Sequence, residues 1–330
     1  MGNRPNKMIK LLIKSILMGT ANKLPGISGG LVALITGFYT EMIESFKRLD
    51  YNLLKFIFKG NFIELNKRYN LNFLLVVLFG IIISYFTTSQ LLDYLFLKSE
   101  LFVWSTFFGM IIGSIVILFK GKKIRKRHDF YFILIGLIFG IVLSNLEPVT
   151  ENKNLVFVFF CGFISICGMI IPGISGSFLL ILLGNYKLLL VDSVNNIFYL
   201  LKNLVNDQYN YQIDNDLIYV LAVFCLGSIS GLVLLSSLLS YLMRNFNNEL
   251  NNLIIGFVSG SLFIIWPWTK INSTSSITTN SLSENNFVEL IPEINNFENV
   301  IAILLIIIGC IFIVYIDYYA KRKKNFRINR

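Results

Sequence analysis

The sequence predicts an all-α, polytopic membrane protein built from two inverted-topology repeats, each holding one broken or re-entrant helical hairpin plus three transmembrane helices. Three observations lead there. Of the 330 residues, 55% are hydrophobic and only 15% charged, which is more apolar surface than one soluble core can bury. The stretch Lys23-Leu24-Pro25-Gly26-Ile27-Ser28-Gly29-Gly30 recurs 147 residues later as Ile170-Ile171-Pro172-Gly173-Ile174-Ser175-Gly176-Ser177. Finally, 23 of the 29 lysines and arginines fall in five short clusters between apolar runs, a distribution that orients membrane spans.

The offset of 147 holds beyond the motif. Gly37-Phe38-Tyr39 answers Gly184-Asn185-Tyr186, Gly80 answers Gly227, Gly109 answers Gly256, and Gly113-Ser114 answers Gly260-Ser261. A shared period over this length marks a duplication. Residues 1–146 form the first repeat and 147–330 the second, with a polar insertion at 269–299, and together they make one membrane domain.

Taken in order, residues 9–45 form an apolar unit broken at its centre, because proline removes a donor and clashes with the preceding turn while glycine carries the reversal. A basic, polar segment 46–70 follows. Apolar runs at 71–97 and 101–119 are each near the roughly 20 residues that a span needs, and they meet at a short turn. The cluster 120–127 leads to a span at 130–146. The second half repeats the broken unit at 155–190, continues as an acidic, polar segment 191–216, and carries spans at 217–243, 250–268 and 300–319 before a basic tail. The four cysteines lie inside apolar runs without metal-ligand spacing and are expected as free thiols filling the core.

If each broken unit enters and leaves on one side while the other six runs cross once, all five basic clusters share one face. Positive-inside then places both termini in the cytoplasm of a plasma-membrane protein, and the halves enter from opposite sides, as in many alternating-access transporters. Whether the broken units are re-entrant hairpins or pairs of short spans stays open. The net charge of +10 belongs to these clusters and does not imply a nucleic-acid partner, although anionic lipid head groups are attracted to it.

Irregular backbone at membrane depth is tolerated only where protein buries it or it lines a wet cavity. A helix starting at Ser28 or Ser175 presents free N–H groups at its positive end, which suits an anion and above all a phosphate. The candidate binding residues are Lys23, Pro25, Gly26, Ser28, Gly29, Gly30, Pro172, Gly173, Ser175, Gly176 and Ser177. Asn22, Glu41 and Asp93 are candidates for a coupling or auxiliary role. The plainer reading makes the serines helix caps, the glycines packing notches and Lys23 a snorkelling charge; the recurrence of the break in two copies favours a site. The single histidine, His128, lies in a basic loop, so no histidine-based catalysis or metal centre assembles, and neither metal nor cofactor is expected.

These paired signatures, Pro25-Gly26-Ile27-Ser28-Gly29-Gly30 with Gly37-Phe38-Tyr39 and Pro172 through Leu180 with Gly184-Asn185-Tyr186, resemble those of the bacterial and archaeal polyprenyl-phosphate transporter family across nearly the whole chain. The resemblance implies a flippase-type carrier that returns undecaprenyl phosphate, the lipid carrier of cell-wall precursors, from the outer to the cytoplasmic leaflet. The family usually has an acidic residue three positions before the first motif proline, where this chain has Asn22, so coupling by protons or sodium ions is left open. Two other readings remain: a permease for a small anion, and a membrane enzyme acting on lipid phosphates.

Overall fold

The computed structural model of the chain describes residues 4–47, 66, 68–120, 127–145, 151–166, 168, 175–206, 212–268, 292 and 296–328. Pro172 and Gly173 of the second break, Cys167, most of the basic segments 47–68 and 120–127, and nearly all of the insertion 269–299 lie outside the described residues. Among those described, every regular element is a helix.

In the first half, α1 (Arg4–Lys23), α2 (Gly29–Thr36) and α3 (Tyr39–Lys47) form the broken unit, followed by α4 (Leu71–Lys98), α5 (Glu100–Lys120) and α6 (Arg127–Asn145). In the second, α7 (Leu155–Ser165) and α8 (Gly176–Leu182) flank the break, and a π-helical turn, Leu188–Asp192, runs straight into α9 (Ser193–Asn206). There follow α10 (Asn215–Asn245), α11 (Asn247–Gly260) with its 3-10 extension Ser261–Ile265, and α12 (Phe297–Ile328).

Among the described residues, six helices are long and apolar enough to cross a membrane: Leu71–Lys98, Glu100–Lys120, Leu188–Val205, Asn215–Leu235, Asn248–Ile265 and Phe297–Arg322. Large apolar side chains such as Phe79, Leu97, Leu234 and Phe263 stand exposed along them, a belt that lipid rather than water solvates. The run at 130–146 is helical as α6, but one expectation needs correction: the segment read as polar from 191 is helical through Asn206. The reason is an inverted amphipathicity: Asn195, Asn196 and Asn203 are buried against protein while Leu201, Leu204 and Val205 face outward. Counting polar residues mistakes such a helix for a loop. The cysteine expectation also holds only in part: Cys161, Cys225 and Cys310 are unbonded, but Cys225 is exposed rather than in the core.

The duplication is written into the backbone. Ser28 and Ser175 both precede a helix in extended conformation, at φ −96°, ψ 130° and φ −102°, ψ 146°. After each short helix a glycine turns left-handed, Gly37 at φ 90° and Gly184 at φ 72°, where a side chain is strained. The N–H of Phe38 then bonds Ala33 O at 3.1 Å and that of Asn185 bonds Leu180 O at 3.1 Å, the same bond 147 residues apart.

Packing follows the same plan. Within each half the first helix lies along a long span, α1 on α4 and α7 on α10, while the last helix crosses over to the other half, α12 on α5 and α6 on α11. Glycines make these approaches close. A Cβ at Gly80 would press on Leu12 O, and one at Gly227 would overlap Phe159 O, an equivalent pair. One at Gly109 would overlap Ile306 O and one at Gly256 would overlap Ile133 O; Gly113 meets Cys310 and Gly260 meets Leu137. The crossed-over contacts repeat at an offset of 173, so the insertion is absorbed before α12 without disturbing the register.

Adding a methyl group at either crossing should push two helices apart. Gly109→Ala and Gly256→Ala are each expected to cost about 1–3 kcal/mol, read as a lower thermal midpoint of the purified protein. Gly30→Ala is the control, since its Cβ meets nothing nearer than Ser28 Oγ at 3.5 Å and should leave the midpoint in place.

Candidate functional site

The first break starts where α1 ends at Lys23 and Gly26 takes φ +85°. Only glycine fits there: besides the strain, a Cβ would come within 2.6 Å of Ser114 Oγ and 2.9 Å of Met110 O. Both polar groups of Gly26 are then satisfied from outside the unit. Ser114 Oγ on α5 donates to Gly26 O at 3.0 Å, and Gly26 N donates to Ser175 Oγ at 3.0 Å. The two repeated motifs therefore touch each other directly.

Ser175 is buried, and its oxygen also accepts from Phe178 N at 3.2 Å and from Ser177 Oγ at 3.2 Å. It caps α8 as its position predicts. Ser28 does not do the same for α2: its side chain makes no capping bond. That work is done by Asn22, which reaches across the break so that its Oδ1 accepts from Gly29 N at 3.0 Å. A Cβ on Gly29 would overlap the Asn22 amide. Among the described residues, the hydroxyl of Ser28 and the N–H of Gly30 are left without partners, both half-buried at the start of α2.

Lys23 is fully buried and does not snorkel. Its ammonium donates to Tyr85 O at 2.7 Å, to Leu190 O at 2.7 Å and to Ser89 Oγ, and it lies 4.9 Å from the centre of the Tyr85 ring. All three N–H donors are thus engaged, by α4 on one side and the π turn on the other. The π turn shifts the backbone ladder, a distortion frequent at functional sites, and here Leu190 O accepts from Ser89 Oγ at 2.8 Å as well. Tyr186 donates its hydroxyl to Lys23 O at 2.9 Å, capping the C-terminus of α1 from the second repeat. Beside this knot, Asn195 Nδ2 donates to Ser89 O at 3.4 Å, while its buried Oδ1 has no partner among the described residues.

The structure therefore brings together Asn22, Lys23, Gly26, Ser28, Gly29, Gly30, Ser175, Gly176 and Ser177. Pro25 is buried at the turn. Asp93 stands half-buried one turn beyond Ser89 on α4 and lies within electrostatic reach of Asp192, as do Glu151, Lys153 and Lys187. Glu41 is elsewhere, exposed on α3 with its Oε1 accepting from Asn70 Nδ2 at 3.1 Å. Sequence reasoning missed Tyr85, Ser89, Ser114, Tyr186 and Asn195. Two of these carried a signal, since Ser114 and Tyr186 are duplicated as Ser261 and Tyr39. The other three are ordinary residues of long apolar helices.

Comparison with known proteins gives a consistent picture. A family model described as undecaprenyl phosphate translocase-like matches residues 18–285. A protein of Vibrio cholerae serotype O1 named polyprenyl-phosphate transporter is 28% identical over 330 residues, covering 98% of this chain and 100% of that protein. One of Staphylococcus aureus with the same name is 26% identical over 273 residues, covering 79% of this chain and 87% of its own. No solved structure matches.

The polar knot makes a stability prediction. Tyr186→Phe removes one buried hydrogen bond and should cost about 1 kcal/mol. Lys23→Ala removes charge-assisted bonds and leaves a cavity, and should cost about 2–4 kcal/mol. Both are read from thermal unfolding in detergent, and a Lys23→Ala protein as stable as the parent would show that these bonds, of which the one to Leu190 O crosses to the second half, do not hold the fold.

Proposed function

The chain belongs to the undecaprenyl phosphate translocase-like family, and from that membership we propose that it transports polyprenyl phosphate across the membrane. The observation that carries this reading is the end-to-end match to the Vibrio cholerae polyprenyl-phosphate transporter, which leaves no part of either chain unaccounted for by more than a few residues. In finer terms, the protein returns undecaprenyl phosphate from the outer to the cytoplasmic leaflet of the cell membrane. It works by alternating access of two inverted repeats, with both termini in the cytoplasm as the basic clusters demand.

The phosphate binds between the two breaks. The free hydroxyl of Ser28 and the free N–H of Gly30 are donors at the positive end of α2, and glycine at 29 and 30 lets phosphate oxygens approach the backbone. Ser175 and Ser177 add hydroxyl protons from the second break. Lys23 contributes its positive charge to the field of the site while its N–H groups stay on Tyr85, Ser89 and Leu190. The contact of Gly26 N with Ser175 Oγ closes the space between the motifs, so binding requires it to part. By the repeat symmetry the opposite state would pair Gly173 N with Ser28 Oγ, so that the two serines exchange roles as one repeat rocks against the other. The prenyl chain remains in lipid and passes along a lateral opening between helices. The protein acts as a carrier and not an enzyme, and it uses no cofactor.

The test is a leaflet-transport assay with undecaprenyl phosphate in proteoliposomes. Ser28→Ala and Gly30→Ala each remove or crowd a donor to a charged phosphate, which corresponds to about 1.5–3 kcal/mol, or roughly 10–100-fold. Transport should fall by that much with thermal stability kept. Full activity in both variants would remove the breaks from the mechanism, and an inert parent protein would remove the transport reading itself.

A further inference from the structure

Away from the breaks, the N-terminal half of α1, the turn into α3 and the start of α4 enclose a cavity of about 570 Å³. Lys7, Lys10 and Lys14 all line it. At 100° per residue the three fall within an arc of about 60° on α1, so the helix turns one cationic edge toward the cavity. Lys7 and Lys10 are exposed and Lys14 is half-buried. Among the described residues none of these ammonium groups has a hydrogen-bond or ion-pair partner. Three like charges on adjacent turns repel one another, which is unfavourable unless an anion joins them.

Among the described lining residues there is one carboxylate, that of Glu41. Asn70, a non-glycine residue at φ 54°, donates its Nδ2 to Glu41 Oε1 at 3.1 Å and to Ser45 Oγ at 3.3 Å. The local balance stays positive. The lining also carries the apolar Met8 and Leu11, while Phe38 and Phe73 are buried at 4% and 5% exposure. On the adjoining surface of α1, Ile9, Ile13 and Leu17 are more than half exposed, as on a face that meets lipid.

A cationic edge beside an apolar floor is complementary to one kind of ligand. We propose that this cavity is a binding site for a phosphate-headed membrane lipid, with the phosphate among Lys7, Lys10 and Lys14 and the hydrocarbon chain over Met8 and Leu11. A soluble anion would use the lysines and leave the floor bare. The site is separate from the breaks: at 1.5 Å per residue Lys14 is about 13 Å, and Lys7 about 24 Å, along α1 from Lys23. It does not depend on the transport reading.

The experiment is lipid binding to the full-length purified protein, followed by native mass spectrometry with phosphatidylglycerol, phosphatidylcholine and undecaprenyl phosphate as separate probes. The triple variant K7Q/K10Q/K14Q should bind phosphatidylglycerol at least ~10-fold more weakly, since each lysine near an anionic head group contributes severalfold. Phosphatidylcholine binding should not change. The triple arginine variant should bind like the parent, and Glu41→Gln should bind more tightly. Ser28→Ala should leave this binding intact. Loss confined to undecaprenyl phosphate would uphold the site and assign it to the transported lipid. Unchanged binding in the glutamine variant, with its thermal midpoint equal to the parent's, would overturn the proposal. Displacement of phosphatidylglycerol by glycerol phosphate at equal concentration would also overturn it, because the floor would then contribute nothing.

Discussion

A helix interrupted inside an apolar body exposes N–H and C=O groups that lipid cannot satisfy, so neighbouring protein must. The arrangement around residues 22–30 meets that need from four directions. Ser114 of α5 serves Gly26 O, Ser175 serves Gly26 N, Asn22 serves Gly29 N, and Tyr186 serves Lys23 O. Two of the four partners come from the other half of the chain. The break is therefore stable only in the presence of the second repeat, and the duplicated units cannot be regarded as independent modules that happen to lie side by side.

The same dependence extends through the helix packing. Each half lends its last helix to the other, α12 to α5 and α6 to α11, across contacts in which glycine replaces a side chain. These approaches bring small residues and backbones together, the main source of attraction between helices when the surrounding solvent is itself apolar. Lys23 sits where these interlocked halves meet. A buried ammonium is tolerated because three oxygens from α4 and the π turn surround it, and its loss would leave buried acceptors short of a donor. Through Leu190 O it joins the first half to the second.

Much of this was legible in the sequence, and the limits have physical causes. The helical class, the first break and the recurring serine and glycine conformations were readable because glycine and proline constrain the backbone locally, and local constraints are recorded residue by residue. Gly37 and Gly184 adopt the same left-handed turn for that reason. The helix from Leu188 to Asn206 was hidden because its asparagines face protein and its leucines face outward, reversing the pattern of a water-soluble helix. Ser89 was hidden for another reason. A serine in a long apolar helix has many harmless explanations, and only the arrival of Lys23 Nζ and Leu190 O beside it gives it a role.

The two copies share an extended serine and a left-handed glycine but not a set of partners, and this difference bears on how a duplicated motif should be read. Asn22 and Lys23 correspond to Met169 and Ile170 in the second copy, so the amide and the ammonium that organise the first break have no counterparts there. Tyr186 is buried and bonded whereas its equivalent Tyr39 is exposed. Ser114 bonds the first break, but the matching Ser261 turns back to Val258 O at 3.1 Å. The conformation is thus kept at the paired serines and glycines, while several polar residues near them differ. An anion lying between such breaks would meet donors of different kind on its two sides, a hydroxyl and a free N–H from the first and capped hydroxyls from the second. On the proposed reading, recognition is a property of the pair, and neither motif alone supplies it.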